Sequence, residues 1–449
     1  MSLESVLEAV RDRVVPDGSE VAELEAVVAD LTERAEAAAD ELPVDADVRL
    51  VGSTARGTWI SGERDVDLFV CFPPDLPRED LRSHGLAVGW TVLPDGREEF
   101  AEHPYVKGTY RGFDVDCVPC YAVEDATEIR SAVDRTPFHN AYLEGRIDPL
   151  ADDVRLAKAF LTAVGAYGSN LRTRGFSGFL TELLVLEYGG FRELLEAAAD
   201  WQPPVVLDPE DHGVRTFEDP LVVVDPTDPE RNVAAVCSAR NVARLVHYAR
   251  ELRADPREEL FDPHDPPPLD GGDVRAQVER RGTTPVAVRF AAPDVVDDQL
   301  YPQLDKSLAG VEGTLERAGF DPLRSARFAR ETAVLLVECG VAERPAVERH
   351  RGPPVGVREH AEGFHDAYVD DPDVTGPYID EVGRYVVERP RNERTPGGHL
   401  EATLFDVSLG PHVESALTDG YELLVGGEEL ATLAEEFGVE LARYFDPRP

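Results

Sequence analysis

The chain predicts a multidomain α+β fold, and three observations carry that prediction. Two short segments, Asp65–Val70 and Gly112–Val118, alternate apolar and polar residues as half-buried strands do. Apolar residues at helical spacing run on either side of them, over Ser2–Val14 before and from about Asp152 after. At 449 residues the chain has material for roughly two to four domains, and the proline-rich Phe261–Pro268 marks a boundary.

In order, Ser2–Val14 places Leu3, Val6 and Val10 on one face, Pro16-Asp17-Gly18 breaks the helix, and Ser19 is expected to cap a longer one bearing Val21, Leu24, Val28 and Leu31. Val48–Val51 reads as a strand, Gly52-Ser53 as a turn, and Thr54–Ile60 as one or two helical turns. A mixed helix-and-loop insert is expected from Pro77 to Val106, and a proline-interrupted loop over Ser131–His139. Ser177 caps an apolar helix with Leu180, Leu183, Leu184, Tyr188 and Phe191. Past the boundary, Pro285–Phe290 reads as a strand and Tyr301–Ala318 as a helix with Pro302 in its first turn. Thr332–Glu338 reads as a strand or a buried helix, and Glu428–Phe445 as a terminal helix.

The stretch from Val48 to Cys71 is where chemistry concentrates. A strand feeding a helix N-terminus presents backbone N–H groups, so an anion such as a triphosphate is expected against Gly52 and Ser53 with Arg56 nearby. Side chains alternate along a strand, so Asp65 and Asp67 share one face. Two adjacent carboxylates call for a cation, and Mg²⁺ held by carboxylate and phosphate oxygens suits an in-line phosphoryl displacement. A third acid is then expected on a neighbouring strand, and Asp116, sharing a face with Asp114, supplies it. A lone Asp-x-Asp arises by chance in so acidic a chain. The joint pattern of Gly-Ser and two such strands does not.

Acidic residues outnumber basic ones 88 to 45, a net charge of −43, and the lysines are Lys107, Lys158 and Lys306. Such a balance ordinarily argues against a nucleic-acid partner. A hydrophobic content of 42% excludes wholesale disorder, and adaptation of the surface to strong salt, which screens its self-repulsion, is the preferred account. RNA binding then falls to local arginines and groove shape. Five cysteines offer no disulfide framework and suit a reducing cytoplasm. Cys117-Val118-Pro119-Cys120 lacks a second pair at zinc spacing and is assigned to strand packing. Neither a membrane span nor a signal peptide is indicated. Lys158 stands out because the chain has nearly abandoned lysine: it is either a surface residue or a phosphate ligand. Tyr167 either stacks on a base or ends a helix.

Taken together, Gly52–Trp59, Asp65-Val66-Asp67, Ala101–Val106, Asp114-Val115-Asp116 with Val118–Tyr121, Ser131–His139, Arg174–Gly178, and Asp225-Pro226 through Arg231–Ala234 resemble the archaeal, class I CCA-adding enzymes, tRNA nucleotidyltransferases of the polymerase-beta-like superfamily. The resemblance covers roughly residues 1 to 255. It implies a nucleotidyltransferase catalytic domain over 1–150, a helical central domain over 151–260, and a C-terminal tRNA-binding body and tail over 261–449. It implies that Asp65, Asp67 and Asp116 are the catalytic, Mg²⁺-binding acids, the first being often glutamate in the family. Ser53, Arg56, His139, Lys158 and Tyr167 match contacts to the incoming ATP or CTP. Arg231 matches a residue that helps judge the base, and His103 lies in a motif near the RNA end. The expected reaction is attack of an RNA 3′-hydroxyl on the α-phosphorus of CTP or ATP with loss of pyrophosphate, in a cytoplasmic protein that the family suggests is a homodimer. The alternatives are a related nucleotidyltransferase with another acceptor, such as a poly(A) polymerase, oligoadenylate synthase or antibiotic-modifying transferase, and an idle nucleotide- or RNA-binding protein of the same fold.

Overall fold

A computed structural model describes residues 1–100, 102–263 and 265–449. Ala101, which opens one of the motifs above, and His264, in the proline-rich stretch, lie outside the described residues. The chain divides into two compact units, residues 1–264 and 265–448.

The first unit opens with helices α1 (Leu3–Val14) and α2 (Gly18–Asp40). Its five-stranded sheet is built from β1 (Asp47–Val51), β2 (Asp65–Phe72), β3 (Arg97–Phe100), β4 (Pro104–Tyr110) and β5 (Phe113–Tyr121) in the order β1-β2-β5-β4-β3. The β2–β5 pair is parallel and the others antiparallel. A one-turn helix, α3 (Gly52–Ala55), follows β1, and α4 (Arg78–Val92) crosses between β2 and β3. Val66, Leu68, Val70 and Phe72 of β2 pack with Val115 and Cys117 of β5 against Leu24, Val27 and Leu31 of α2 and Leu81, Val88 and Val92 of α4. Each fully buried side chain of this kind contributes roughly 1.5–3 kcal/mol. The face opposite that core is therefore the one that carries the aspartates.

Helices α5 (Thr136–Leu143), α6 (Ala151–Ala163), α7 (Gly178–Tyr188), α8 (Phe191–Ala198) and α9 (Ala239–Ala254) share a second core with α1. Three short strands, β6 (Val205–Leu207), β7 (Leu221–Asp225) and β8 (Asp228–Asn232), form a small sheet with β7 in the middle. Every residue of β7 is buried, which delivers Asp225 to the interior.

The second unit contains α10 (Gly271–Arg281), β9 (Thr284–Ala291), α11 (Asp297–Ala318), β10 (Pro322–Ala329), β11 (Thr332–Cys339), β12 (Val347–Pro354), α12 (Arg358–Tyr368), β13 (Thr375–Ile379), β14 (Arg384–Pro390), α13 (Pro396–Thr403), α14 (Pro411–Asp419), β15 (Tyr421–Val425), α15 (Gly426–Leu430) and α16 (Ala434–Phe445). An antiparallel sheet in the order β10-β11-β9-β15 is covered by α11, α13 and α14 on one face and by α10 and α16 on the other. A smaller sheet, β12-β14-β13, packs with α12. No helix among the described residues is long and apolar enough to cross a membrane.

Several expectations need correction. Asp17, not Ser19, caps α2, in a capping box with Glu20. The helical turn after β1 begins at Gly52 and ends at Ala55 rather than running from Thr54 to Ile60. The Pro77–Val106 insert holds two strands, β3 and the start of β4, which its charged sequence hid. Ser131–His139 is not a loop: residues Ala132–Arg135 make a 3₁₀ turn that leads into α5, with Pro137 in the first turn, where a missing N–H costs nothing. Gly189 ends α7 in a left-handed conformation, so Phe191 starts a separate helix. Pro302 lies inside α11 because that helix starts at Asp297. Thr332–Cys339 is a strand, and the terminal helix is broken into α15, a 3₁₀ turn and α16.

Candidate active site

The register of the parallel pair brings the acids together. Asp65 faces Asp114 and Asp67 faces Asp116 across β2 and β5, and strand alternation puts all four on the side away from α2 and α4. Burial, with the nearby charges of Asp116 and Asp65, pushes the Asp67 carboxyl up to about 6. Burial and Asp114 likewise raise Asp65. These shifts record acids crowded without enough positive charge between them.

Lys107, opposite Asp116 on β4, supplies a cation beside the acids. Its Nζ lies 2.9 Å from Asp116 Oδ1, an ion pair that engages that oxygen. Among the described residues no three His, Cys, Asp or Glu side chains close on one point. Mg²⁺ does not require that they do, because it binds through one or two carboxylates and takes the rest of its shell from phosphates and water. Gly52 adds the space: its φ of +77° suits glycine, and a Cβ there would collide with Asp67 Oδ2. The donor set and the room kept beside Asp67 both fit a divalent cation.

The residues expected to contact the triphosphate fall into two linked groups. Arg56 donates through Nε and Nη2 to Glu182, with Nη2 to Oε2 at 2.8 Å, and Thr58 Oγ1 donates to the same carboxylate at 2.5 Å. Glu182 is wholly buried. Lys158, also buried, donates to the Thr58 carbonyl at 2.9 Å, and burial lowers its pKa. Tyr167 sits in the same electrostatic neighbourhood, its phenol pKa raised first by burial and then by Glu63 and Glu182. Arg56 and Lys158 are both close enough to temper the acids of β2. Ser53 lies in the α3 turn beside Gly52.

The second group centres on Asp225. His139 Nε2 lies 2.9 Å and Arg231 Nη1 2.6 Å from Asp225 Oδ2, while the N–H and hydroxyl of Thr227 donate to Oδ1. The His139 ring stacks on Phe179 at 3.7 Å between centroids. Burial outweighs Asp225 and lowers the His139 pKa. Burial works to raise the Asp225 pKa, but its hydrogen bonds to His139 and Thr227 hold it well below the carboxylate range. Asn140, next to His139, accepts from Arg56 Nη1 at 3.0 Å and joins the two groups. A cavity of about 860 Å³ opens beside the second group, with Arg135, Arg215, Phe217, Asp228 and Arg231 in its wall.

His103 is not brought to the acids. It is buried edge-on against Tyr121, its Nε2 without a partner, and Tyr121 is five residues beyond Asp116 on β5, roughly 16 Å along a strand. Glu182, Asn140 and Lys107 were given no role by the sequence reading, and Asp225 entered it only as the first residue of a motif. Two of them left a signal: Glu182 is a charge inside the apolar run of α7, and Lys107 is one of only three lysines. Cys117 and Cys120 pack on opposite faces of β5, one in each adjoining core, and burial pushes the Cys117 thiol up to about 12.

Three family profiles match the chain: a nucleotidyltransferase domain over residues 32–139, the second domain of tRNA nucleotidyltransferases over 152–262, and the C-terminal domain of CCA-adding enzymes over 281–426. The CCA-adding enzyme of Haloarcula marismortui is 60% identical over 99% of both chains. That of Halobacterium salinarum is 58% identical over 99% of both, and that of Methanosarcina mazei 40% identical over 97% of both.

Proposed function

Because the chain belongs to the CCA-adding enzymes, which build the 3′-terminal CCA of tRNA from CTP and ATP without a template, we propose that Asp65, Asp67 and Asp116 are the catalytic acids of that reaction and hold its divalent ions. The observation that supports this most directly is the pairing of Asp67 with Asp116 across β2 and β5. We take the metal to be Mg²⁺, which when bound lowers the pKa of the attacking hydroxyl and neutralises charge on the leaving group.

The protein's own groups then divide the work. The RNA 3′-oxygen forms a bond to the α-phosphorus as the bond to the β-phosphate oxygen breaks, and pyrophosphate leaves with that electron pair. Asp116, paired with Asp67 across the two strands, is the acid that takes or relays the hydroxyl proton. Ser53, Arg56, Lys158, Tyr167 and His139 hold the triphosphate and sugar. Arg56 and Lys158 act from fixed positions, because Glu182 and the Thr58 carbonyl already orient them. Arg231 helps admit C and A and reject G and U, rejection arising where a wrong base leaves buried polar groups unpaired. His103, buried as it is, acts on the RNA end through the strand it precedes.

We assign residues 1–150 to the catalytic domain, 151–260 to the helical domain and 261–449 to a tRNA-binding body and tail, and place the protein in the cytoplasm as a homodimer. The test of the activity is incubation in high salt with Mg²⁺, labelled CTP or ATP, and tRNA lacking its last one, two or three nucleotides. Orderly addition that stops after C, C and A is expected. Long A tails point to a poly(A) polymerase-like enzyme, and no incorporation to an idle binding protein.

A further inference from the structure

Asp225 is a buried carboxylate engaged on both oxygens. It ends a fully buried strand, has no exposed surface, and is held on one oxygen by Thr227 while the other faces His139 and Arg231. Arg135 is also within ion-pair reach, its Nε 4.0 Å from Oδ2, and its Nη2 meets Asp228 at 3.1 Å. Arg135 and Arg231 both line the 860 Å³ cavity, and the Asp225 carboxylate holds the second of them directly.

We propose that Asp225 is a positioning residue that couples grip on the triphosphate to choice of the base, through a single carboxylate oxygen shared by His139 and Arg231. The proposal rests on the roles given above to those two residues. Its physical content is competition and geometry. A carboxylate oxygen has two lone-pair sites, so with His139 and Arg231 both bound the position of either one constrains the other. Charge-assisted bonds of this kind are strong and directional, and a wholly buried carboxylate that loses a partner is costly to leave unpaired. His139 is further pinned by its stack on Phe179. With Nε2 given to Asp225, the ring nitrogen left to meet a phosphate is Nδ1, which donates only when the ring is protonated. The charged groups facing the ring are Asp225, which favours that form, and Arg231 and Arg135, which oppose it. Movement of Arg231 toward or away from the shared oxygen therefore alters how well His139 holds an anion, and the reverse.

Steady-state incorporation on tRNA lacking CCA tests this, with CTP and UTP compared for wild type, Asp225→Asn, Arg231→Ala, His139→Ala and the double variant Asp225→Asn with Arg231→Ala, and with circular dichroism to confirm folding. Asp225→Asn is expected to raise KM for CTP and to lower the CTP-to-UTP ratio of kcat/KM, each by about tenfold, near 1.4 kcal/mol. The double variant is expected to discriminate no worse than Arg231→Ala, since residues in one network are not additive. A folded Asp225→Asn with wild-type KM and ratio, beside an Arg231→Ala that loses discrimination, overturns the coupling and leaves the site reading standing. Unchanged discrimination in Arg231→Ala overturns the site reading itself. Should Asp225→Asn not fold, Thr227→Val takes its place. It keeps the carboxylate charge but loosens its orientation, and an unchanged ratio there overturns the proposal.

Discussion

Glu182, with no exposed surface, holds the Arg56 guanidinium through both carboxylate oxygens, and Arg56 keeps only 8% of its side chain exposed. A pair so desolvated is costly to break, because the survivor is left charged and dry. Glu182→Ala is expected to destabilise the protein by about 3–5 kcal/mol, read by denaturant unfolding in high salt. Glu182→Gln, which retains the shape and one acceptor, is expected to cost less.

Asp67→Asn is expected to abolish CCA addition while leaving the fold intact. Loss of several kcal/mol of charge stabilisation at the reacting phosphate corresponds to a fall on the order of 10³-fold in kcat. Circular dichroism and single-turnover incorporation measured together check it, and wild-type turnover in this variant would overturn the metal assignment.

The same residue gives a pH dependence. Asp67 is raised from 3.8 to about 6 in the folded protein, so the native state binds that proton more tightly than the unfolded chain does. Its contribution to stability is fully present below the unfolded value and is lost as pH rises through about 6. Without divalent ions, Asp67→Asn is therefore expected to match wild type at low pH and exceed it near pH 7 by up to about 3 kcal/mol. Thermal melts of both proteins across this range measure the gap. Mg²⁺ is expected to narrow it by stabilising wild type alone.

Gly52→Ala is expected to damage the site from the backbone side. The new methyl meets Asp67 Oδ2, and φ of +77° strains any L-residue. A stability loss of about 1–3 kcal/mol follows, with activity falling further than stability if the displaced group is, as proposed, a catalytic acid. Melting temperature and incorporation rate on the same preparation separate the two.

Much of this was legible in the chain. Strand alternation put Asp65 and Asp67 on one face, and the need for a third acid pointed to the Gly112–Val118 strand, which is β2's parallel neighbour. The apolar helix beginning at Gly178 was equally plain. What escaped had competing local signals. Arg97–Phe100 is a strand of charged residues on a sheet edge, where pairing rather than hydrophobicity makes it a strand. Glu182 meets Arg56 and Asp225 meets His139 across more than 80 positions of sequence, and no local pattern reports a contact of that range. His103 carried a motif but not its burial.

Lys107 turns an unfavourable neighbourhood into a tolerable one. An ammonium on a flexible four-carbon stem gives β5 a resident neutraliser for Asp116, so the protein can assemble its row of negative groups before any ion arrives. Being singly charged and tethered, it is also easily outbid by a divalent visitor carrying phosphate oxygens with it. Charge balance beside the acids is a physical reason for a lysine at this position in a chain with three lysines.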